Sequence, residues 1–257
     1  MLQQLFDLSG KVAIVTGGGV GLGRQMAEAL AEANASVVLA ARKVQRCEQV
    51  AAHLVDRFHV RSLAVGCDVT DAEQVKSLMQ QAVQQMGRVD ILVNNAGTTW
   101  GAPAEDYPLD KWRGVIEVNV TGSFLMAQSA ARIMKEQGGG SIINVASVGG
   151  LMGMRPVHLD AVAYCTSKAA VVNMTRDLAV KWAPYAIRVN AISPGWFRTH
   201  MTEWMLQNRG QELLSHIPLG RFGGEDDLKG AVLYLASAAS SYVTGHVLCV
   251  DGGWTIS

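Results

Sequence analysis

A tyrosine and a lysine stand four residues apart in AVAYCTSKAA (161–170), at Tyr164 and Lys168. On a helix that spacing puts both side chains on one face. A phenol ordinarily titrates at about 10, too high to exchange protons readily at neutral pH, and a nearby ammonium favours the phenolate. Such a pair could give a proton to a carbonyl oxygen, or take one from an alcohol. Ser147, at the end of the apolar run SIINVAS (141–147), could hold that oxygen by a hydrogen bond. Each residue also has a plain structural account. An isolated Y-x-x-x-K is most often an amphipathic helix face, Ser147 could cap a strand end, and Asn119 in EVNVTGSF could bond backbone within its helical segment.

A second chemistry is written in TGGGVGLG (16–23), which follows KVAIVT directly and runs into an Ala/Glu/Leu-rich segment. The spacing is G-x-x-x-G-x-G, at Gly17, Gly21 and Gly23 with Gly18 and Gly19 added, rather than G-x-G-x-x-G. Between a strand and a helix N-terminus, missing side chains let backbone N–H groups and the helix dipole meet a pyrophosphate. At the end of the next apolar run, an NAD-preferring unit carries an acid for the ribose hydroxyls. Here Ala41 stands instead, followed by Arg42 and Lys43. A guanidinium can bind a 2′-phosphate through two bonds, so NADP(H) is expected ahead of NAD(H).

These groups need a scaffold. Seven short apolar runs, 11–16, 35–41, 62–69, 89–95, 141–147, 187–193 and 245–251, look like buried strands. Helical patterns lie between them, over 22–33, 71–86, 110–136, 163–182 and 225–238. Near-continuous apolar strands alternating with helices predict an α/β fold: a Rossmann-type doubly wound parallel sheet with helices on both faces. No linker divides the chain, so 1–257 is expected to be one domain, with the segment around 194–220 covering the substrate.

Bulk composition narrows the function classes. Lys+Arg and Asp+Glu are both 22, a net charge of zero, which offers no footprint for nucleic acid or an anionic membrane. Cys47, Cys67, Cys165 and Cys249 form no C-x-x-C, so buried free thiols in the reducing cytoplasm are expected. The six histidines show no ligand spacing such as H-E-x-x-H, so no metal is expected; His158 and His200 are the two that could reach a pocket.

Taken in order, TGGGVGLG, NNAG (94–97), Asn119, Ser147, YCTSK (164–168) and PGWFRT (194–199) closely resemble the short-chain dehydrogenase/reductase family in its compact form, over essentially the whole chain. The resemblance implies a catalytic tetrad of Asn119, Ser147, Tyr164 and Lys168, with Asn119 positioning a relay water and Lys168 also binding the nicotinamide ribose. It implies cofactor contacts from Gly17, Gly19, Gly21, Leu22 and Gly23, from Arg42, from Asp68 and Val69 near adenine, and from Asn95, Ala96 and Gly97 near the adenosine ribose. Tyr164, Pro194, Gly195 and Thr199 would border the nicotinamide. The family's NADP(H)-dependent members often carry an arginine where this chain has Val20. Ser147 and Tyr164 stand 17 positions apart, a few more than is usual in the family, so GLMGMRPVHLDAVAY should reshape the pocket wall. The expected activity interconverts a carbonyl and a secondary alcohol. NNAGTTWGAPAEDYP is similar to 3-oxoacyl reductases, the leading expectation, and PLGRFGGEDDLKGAVLYLAS is similar to gluconate 5-dehydrogenase and other sugar dehydrogenases, the alternative. A nucleotide sensor without catalysis fits less well, because both Tyr164 and Lys168 are kept. A homotetramer is expected, from the family and from the apolar residues of 110–136 and 163–182.

Overall fold

In the computed structural model, which describes residues 2–257, the seven apolar runs become strands of one sheet. They are β1 (Val12–Thr16), β2 (Ser36–Ala41), β3 (Ser62–Gly66), β4 (Ile91–Asn94), β5 (Gly140–Val145), β6 (Ile187–Pro194) and β7 (Val247–Val250). All pairings are parallel, in the order β3-β2-β1-β4-β5-β6-β7. Parallel pairing demands crossovers, and these are helical: α1 (Leu2–Phe6) precedes the sheet, followed by α2 (Gly21–Glu32), α3 (Val44–Phe58), α4 (Ala72–Met86), α5 (Leu109–Ile116), α6 (Ser123–Glu136), α7 (Val162–Trp182), α8 (Glu203–Ser215) and α9 (Lys229–Ala236).

The strands are apolar throughout because both faces are covered. Ala13, Val15, Val37, Leu39 and Ile91 pack on one side with Leu30 of α2, Leu54 of α3 and Leu235 of α9. Their neighbours Val12, Ile14, Val38 and Leu92 pack on the other with Leu78 of α4, Met126 of α6 and Leu178 of α7. The period-2 alternation of strands thus divides one run between two cores. The strand order reverses between β1 and β4, and a crevice opens beyond the carboxyl ends of the strands there.

Several boundaries differ from the expected ones. The helix expected over 110–136 is interrupted by a π-helical stretch, Glu117–Gly122, between α5 and α6. Gly122 packs so closely on Val69 that a β-carbon there would come within 2.6 Å of it, and Ser123 Oγ donates to the Asn119 carbonyl at 2.8 Å. The third strand stops at Gly66 because Asp68 turns the chain, accepting bonds from Thr70 N–H and Oγ at 3.0 and 2.8 Å. The last helix starts only at Lys229, since Asp227 is held by Arg221 and the Gly224 N–H. The substrate-covering segment contains a full helix, α8. Cys47 and Cys67 are buried as expected, but Cys165 is half-buried and Cys249 lies exposed on β7.

Candidate active site

A buried polar ladder fixes the strand ends beneath the crevice. Asn94 Nδ2 donates to Asn144 Oδ1 and to the Ser123 carbonyl, both at 3.0 Å, and Asn144 Nδ2 donates to Thr175 Oγ1 at 2.9 Å. Asn94 and Asn144 are register partners across β4 and β5. One chain of hydrogen bonds therefore ties β4, β5, α6 and α7 together, and in a dry interior each broken link would orphan a polar group.

Above it, Tyr164 and Lys168 share one face of α7, as their spacing requires. Lys168 is only 5% exposed, with Nζ 2.7 Å from the Val145 carbonyl and 5.6 Å from the Tyr164 ring centre. Burial pushes its ammonium down to about 8. Ser147, just past β5, caps the following turn by accepting the Gly149 N–H at 3.2 Å, and it lines one cavity with Tyr164. The Tyr164 phenol stands above its ordinary value, because burial outweighs the opposing effect of the Ser147 hydroxyl. This corrects the expectation that Lys168 lowers it: in this state the lysine is committed to the Val145 carbonyl and is itself desolvated. Asn119 does not bond within its own helix. Its Oδ1 accepts Thr98 N–H at 2.8 Å, and its Nδ2 donates to the Thr98 carbonyl at 3.0 Å and to Ser167 Oγ at 2.8 Å. It clamps the segment following NNAG to α7, and its own carbonyl is occupied by Ser123. Gly97 lies between them, where a β-carbon would approach Asn119 Oδ1 to 3.4 Å and Lys168 Nζ to 3.7 Å.

The glycine turn meets the next parts of the crevice. Gly17 adopts a φ of +65°, and a β-carbon on Gly23 would collide with the Gly17 carbonyl and the Asn95 amide. Asn95 is stapled there, its Nδ2 donating to the Thr16 carbonyl at 2.9 Å and to the Gly17 carbonyl at 3.3 Å. The Asn95 side chain thus also shapes the turn. The first turn of α2 has no acid and its N-cap, Val20, makes no side-chain bond, which leaves its N–H groups for an anion.

Beside this turn, a cavity of about 560 Å³ is lined by Gly17, Gly19, Arg42, Asp68, Val69, Ala96 and Gly97, among others. Arg46, in the first turn of α3, also lines it, and a β-carbon on Gly19 would lie 3.0 Å from Arg46 Cβ. Arg42, Lys43 and Arg46 make no ion pair among the described residues. The residues present therefore fit a dinucleotide: cradling glycines, a bare helix N-terminus and uncommitted cations. Gly21 and Thr199 line a second cavity of about 630 Å³ with Arg24, Arg198 and His200. Leu22, Gly23, Asn95 and Pro194 line neither cavity. Arg46 escaped the sequence reading because α3 carries no start signal, neither a side-chain cap at Lys43 nor an acid in its first turn.

A further cavity of about 530 Å³ meets Ser147, Tyr164 and Gly195. Met154, Pro156, Val157, Leu159 and Asp160 of the extra loop form one wall, and Trp196, Met201, Trp204, Met205 and Arg209 another. His158 does not reach it. That ring packs instead against Trp254 and His216, with centroids 5.3 and 4.9 Å away. His200 is exposed beside α8.

Comparison with known proteins decides the family. A family model described as enoyl-(acyl carrier protein) reductase matches residues 18–255. A short-chain type dehydrogenase/reductase from Mycobacterium marinum is 44% identical, with a TM-score of 0.96 and 100% of each chain covered. The chain belongs to the short-chain dehydrogenase/reductase family. This short-chain dehydrogenase/reductase is 40% identical over 257 residues, 99% of either chain, to a 2-dehydro-3-deoxy-D-gluconate 5-dehydrogenase from Dickeya dadantii. It is 41% identical over 254 residues to an NAD-dependent glycerol dehydrogenase from Listeria innocua, covering 98% of this chain and 96% of the relative. It is an oxidoreductase that interconverts a carbonyl and an alcohol. No helix among the described residues is long and apolar enough to cross a membrane.

Proposed function

We propose that this short-chain dehydrogenase/reductase reduces a ketone to a secondary alcohol, and runs the reverse, with NADP(H) as the preferred cofactor. The observation that carries the reading is the placement of Ser147 and Tyr164 together on the wall of the 530 Å³ cavity, with the buried Lys168 one turn along α7. The bound nicotinamide nucleotide supplies or accepts the hydride. Tyr164 gives its phenolic proton to the carbonyl oxygen in reduction and takes one from the alcohol in oxidation. Ser147 holds that oxygen, and Asn119, fixed by its bonds to Thr98 and Ser167, positions the relay water. The cofactor is held by Gly17, Gly19, Gly21, Leu22 and Gly23 around the pyrophosphate, by Asp68, Val69, Asn95, Ala96 and Gly97 on the adenosine side, and by Tyr164, Lys168, Pro194, Gly195 and Thr199 at the nicotinamide end. Arg42 takes the 2′-phosphate, assisted by Lys43 and Arg46.

The apolar lining from Met154, Leu159, Trp196 and Met205 favours a substrate with an apolar body, most like that of a 3-oxoacyl reductase. The Dickeya relative supports the second reading, a sugar-acid dehydrogenase. We propose that residues 1–257 act as one domain in the cytoplasm and assemble as a homotetramer. Exposed Leu109, Phe124 and Val180 on α5, α6 and α7 support the assembly. NADPH and NADH oxidation against a panel of 3-oxoacyl esters, ketoses and keto-gluconates tests the reading. Turnover of 3-oxoacyl esters with NADPH supports it, and exclusive turnover of keto-gluconates transfers it to the second reading.

A further inference from the structure

The substrate cavity is unevenly equipped with hydrogen-bonding groups. Thr99 Oγ1 is buried on its wall with no partner, and Trp196, 7% exposed, has an indole N–H with none. Arg209 lies one helical turn beyond Met205 on α8, so both reach the same cavity. Its guanidinium makes no hydrogen bond among the described residues. Its one ionic neighbour is Glu212, at 3.7 Å, beyond hydrogen-bonding distance. Glu212 is drawn in another direction as well, lying 3.8 Å from His158 Nε2. Among the described residues, Arg209 is thus the one cation on a mostly apolar wall, and no hydrogen bond holds its guanidinium. The opposite sign is confined to Asp160, which adjoins the start of α7, four residues before Tyr164.

From these groups we infer that the substrate carries a carboxylate remote from its reacting carbonyl, and that Arg209 binds it. A guanidinium can hold a carboxylate through two charge-assisted bonds, whereas a neutral amide of the same shape takes weaker ones. The apolar stretch of Met154, Leu159 and Met205 accommodates the hydrocarbon between the two ends. Asp160, the one acid among the described residues of the wall, repels an anion placed beside it, which leaves the Arg209 side for the carboxylate. Arg209 is on this account a specificity residue. The inference rests on the carbonyl-reductase reading and draws it from the 3-oxoacyl form toward its second, sugar-acid form.

The test compares 5-oxohexanoate with 5-oxohexanamide, which share one carbon skeleton and differ in carboxylate against neutral amide, in the parent, Arg209→Gln and Arg209→Lys proteins. Two quantities are read: NADPH-dependent kcat/KM, and binding to the NADP+-loaded protein followed by tryptophan fluorescence. The parent should prefer the acid on the order of tenfold or more, mainly through KM. Arg209→Gln should bring the ratio close to one, and Arg209→Lys should restore part of it. An acid-to-amide ratio that is the same in parent and Arg209→Gln, in turnover and in binding, overturns the inference. Reduction of neither compound counts against the carbonyl-reductase reading instead, and the binding ratio then still decides the role of Arg209.

Discussion

Thr16 closes β1 with a hydroxyl that supports the cofactor wall, and replacing it by valine tests how that wall is held. Its Oγ1 accepts the backbone N–H of Asn95 at 3.0 Å and of Ala96 at 2.9 Å, and the residue is only 1% exposed. Thr16→Val keeps the shape and removes the acceptor; the Asn95 N–H retains the Val93 carbonyl at 3.1 Å, but the Ala96 N–H loses its partner. An unsatisfied buried donor costs about 1–3 kcal/mol, and because Ala96 is only partly buried we take the lower end, about 1 kcal/mol. For a chain of this size that is roughly 2–4 °C in Tm. The loss should be visible in thermal and urea unfolding of the cofactor-free protein, with an unchanged m-value. Binding of 2′,5′-ADP should weaken as well, since Ala96 lines the cavity beside Arg42. A Tm within about 1 °C of the parent would refute the reasoning, because the Ala96 donor would then have found another partner at no cost.

Three further predictions follow the charges of the site. Ala41→Asp with Arg42→Ile should reverse the cofactor preference to NAD(H), the lost contact being worth about 1.5–3 kcal/mol, or ten- to a hundredfold in the kcat/KM ratio; an unchanged ratio contradicts it. Arg46→Ala alone should weaken 2′,5′-ADP more than 5′-ADP, read by calorimetry, and equal losses would remove Arg46 from the 2′-phosphate site. Lys168 carries a pH signature. With its folded value pushed down from 10.5 to about 8, the folded chain binds fewer protons than the unfolded chain between those values, so this group makes stability rise with pH across that window. The stability difference between parent and Lys168→Met, from urea unfolding, should therefore grow in the parent's favour from pH 8 to pH 10. A difference that is flat or falling would show that Lys168 is not desolvated.

Much of the architecture was legible because it rests on local pattern. Runs such as KVAIVT and VDILVNN are apolar on both faces, and only a covered parallel sheet buries both. Glycine spacing marked the turn before α2 because close approach there depends on the missing side chain, as the collision predicted for a β-carbon on Gly23 shows. What the pattern could not carry was set by distant contacts. The π-helical stretch at Asn119 depends on Gly122 meeting Val69, some fifty positions earlier. The role of Asn95 as a staple depends on carbonyls at Thr16 and Gly17 that only folding brings near. Lys168 was expected to act on Tyr164 as a bare charge, and the fold instead buries it against the Val145 carbonyl. Arg46 sits on a helix whose sequence lacks a capping residue and a first-turn acid, so it could not be assigned to a face before α3 was seen, whereas Arg209 lies two turns into α8, and which cavity it meets depends on how that helix packs.

The central claim is that Tyr164 exchanges the substrate proton while hydride passes to or from NADP(H). The most direct test is kcat/KM of Tyr164→Phe for a ketone that the parent reduces, measured beside NADPH binding by fluorescence. The account predicts a loss of about a hundredfold or more in turnover, the range for removing a positioned acid, with NADPH still bound. Reduction at close to the parent rate would contradict it.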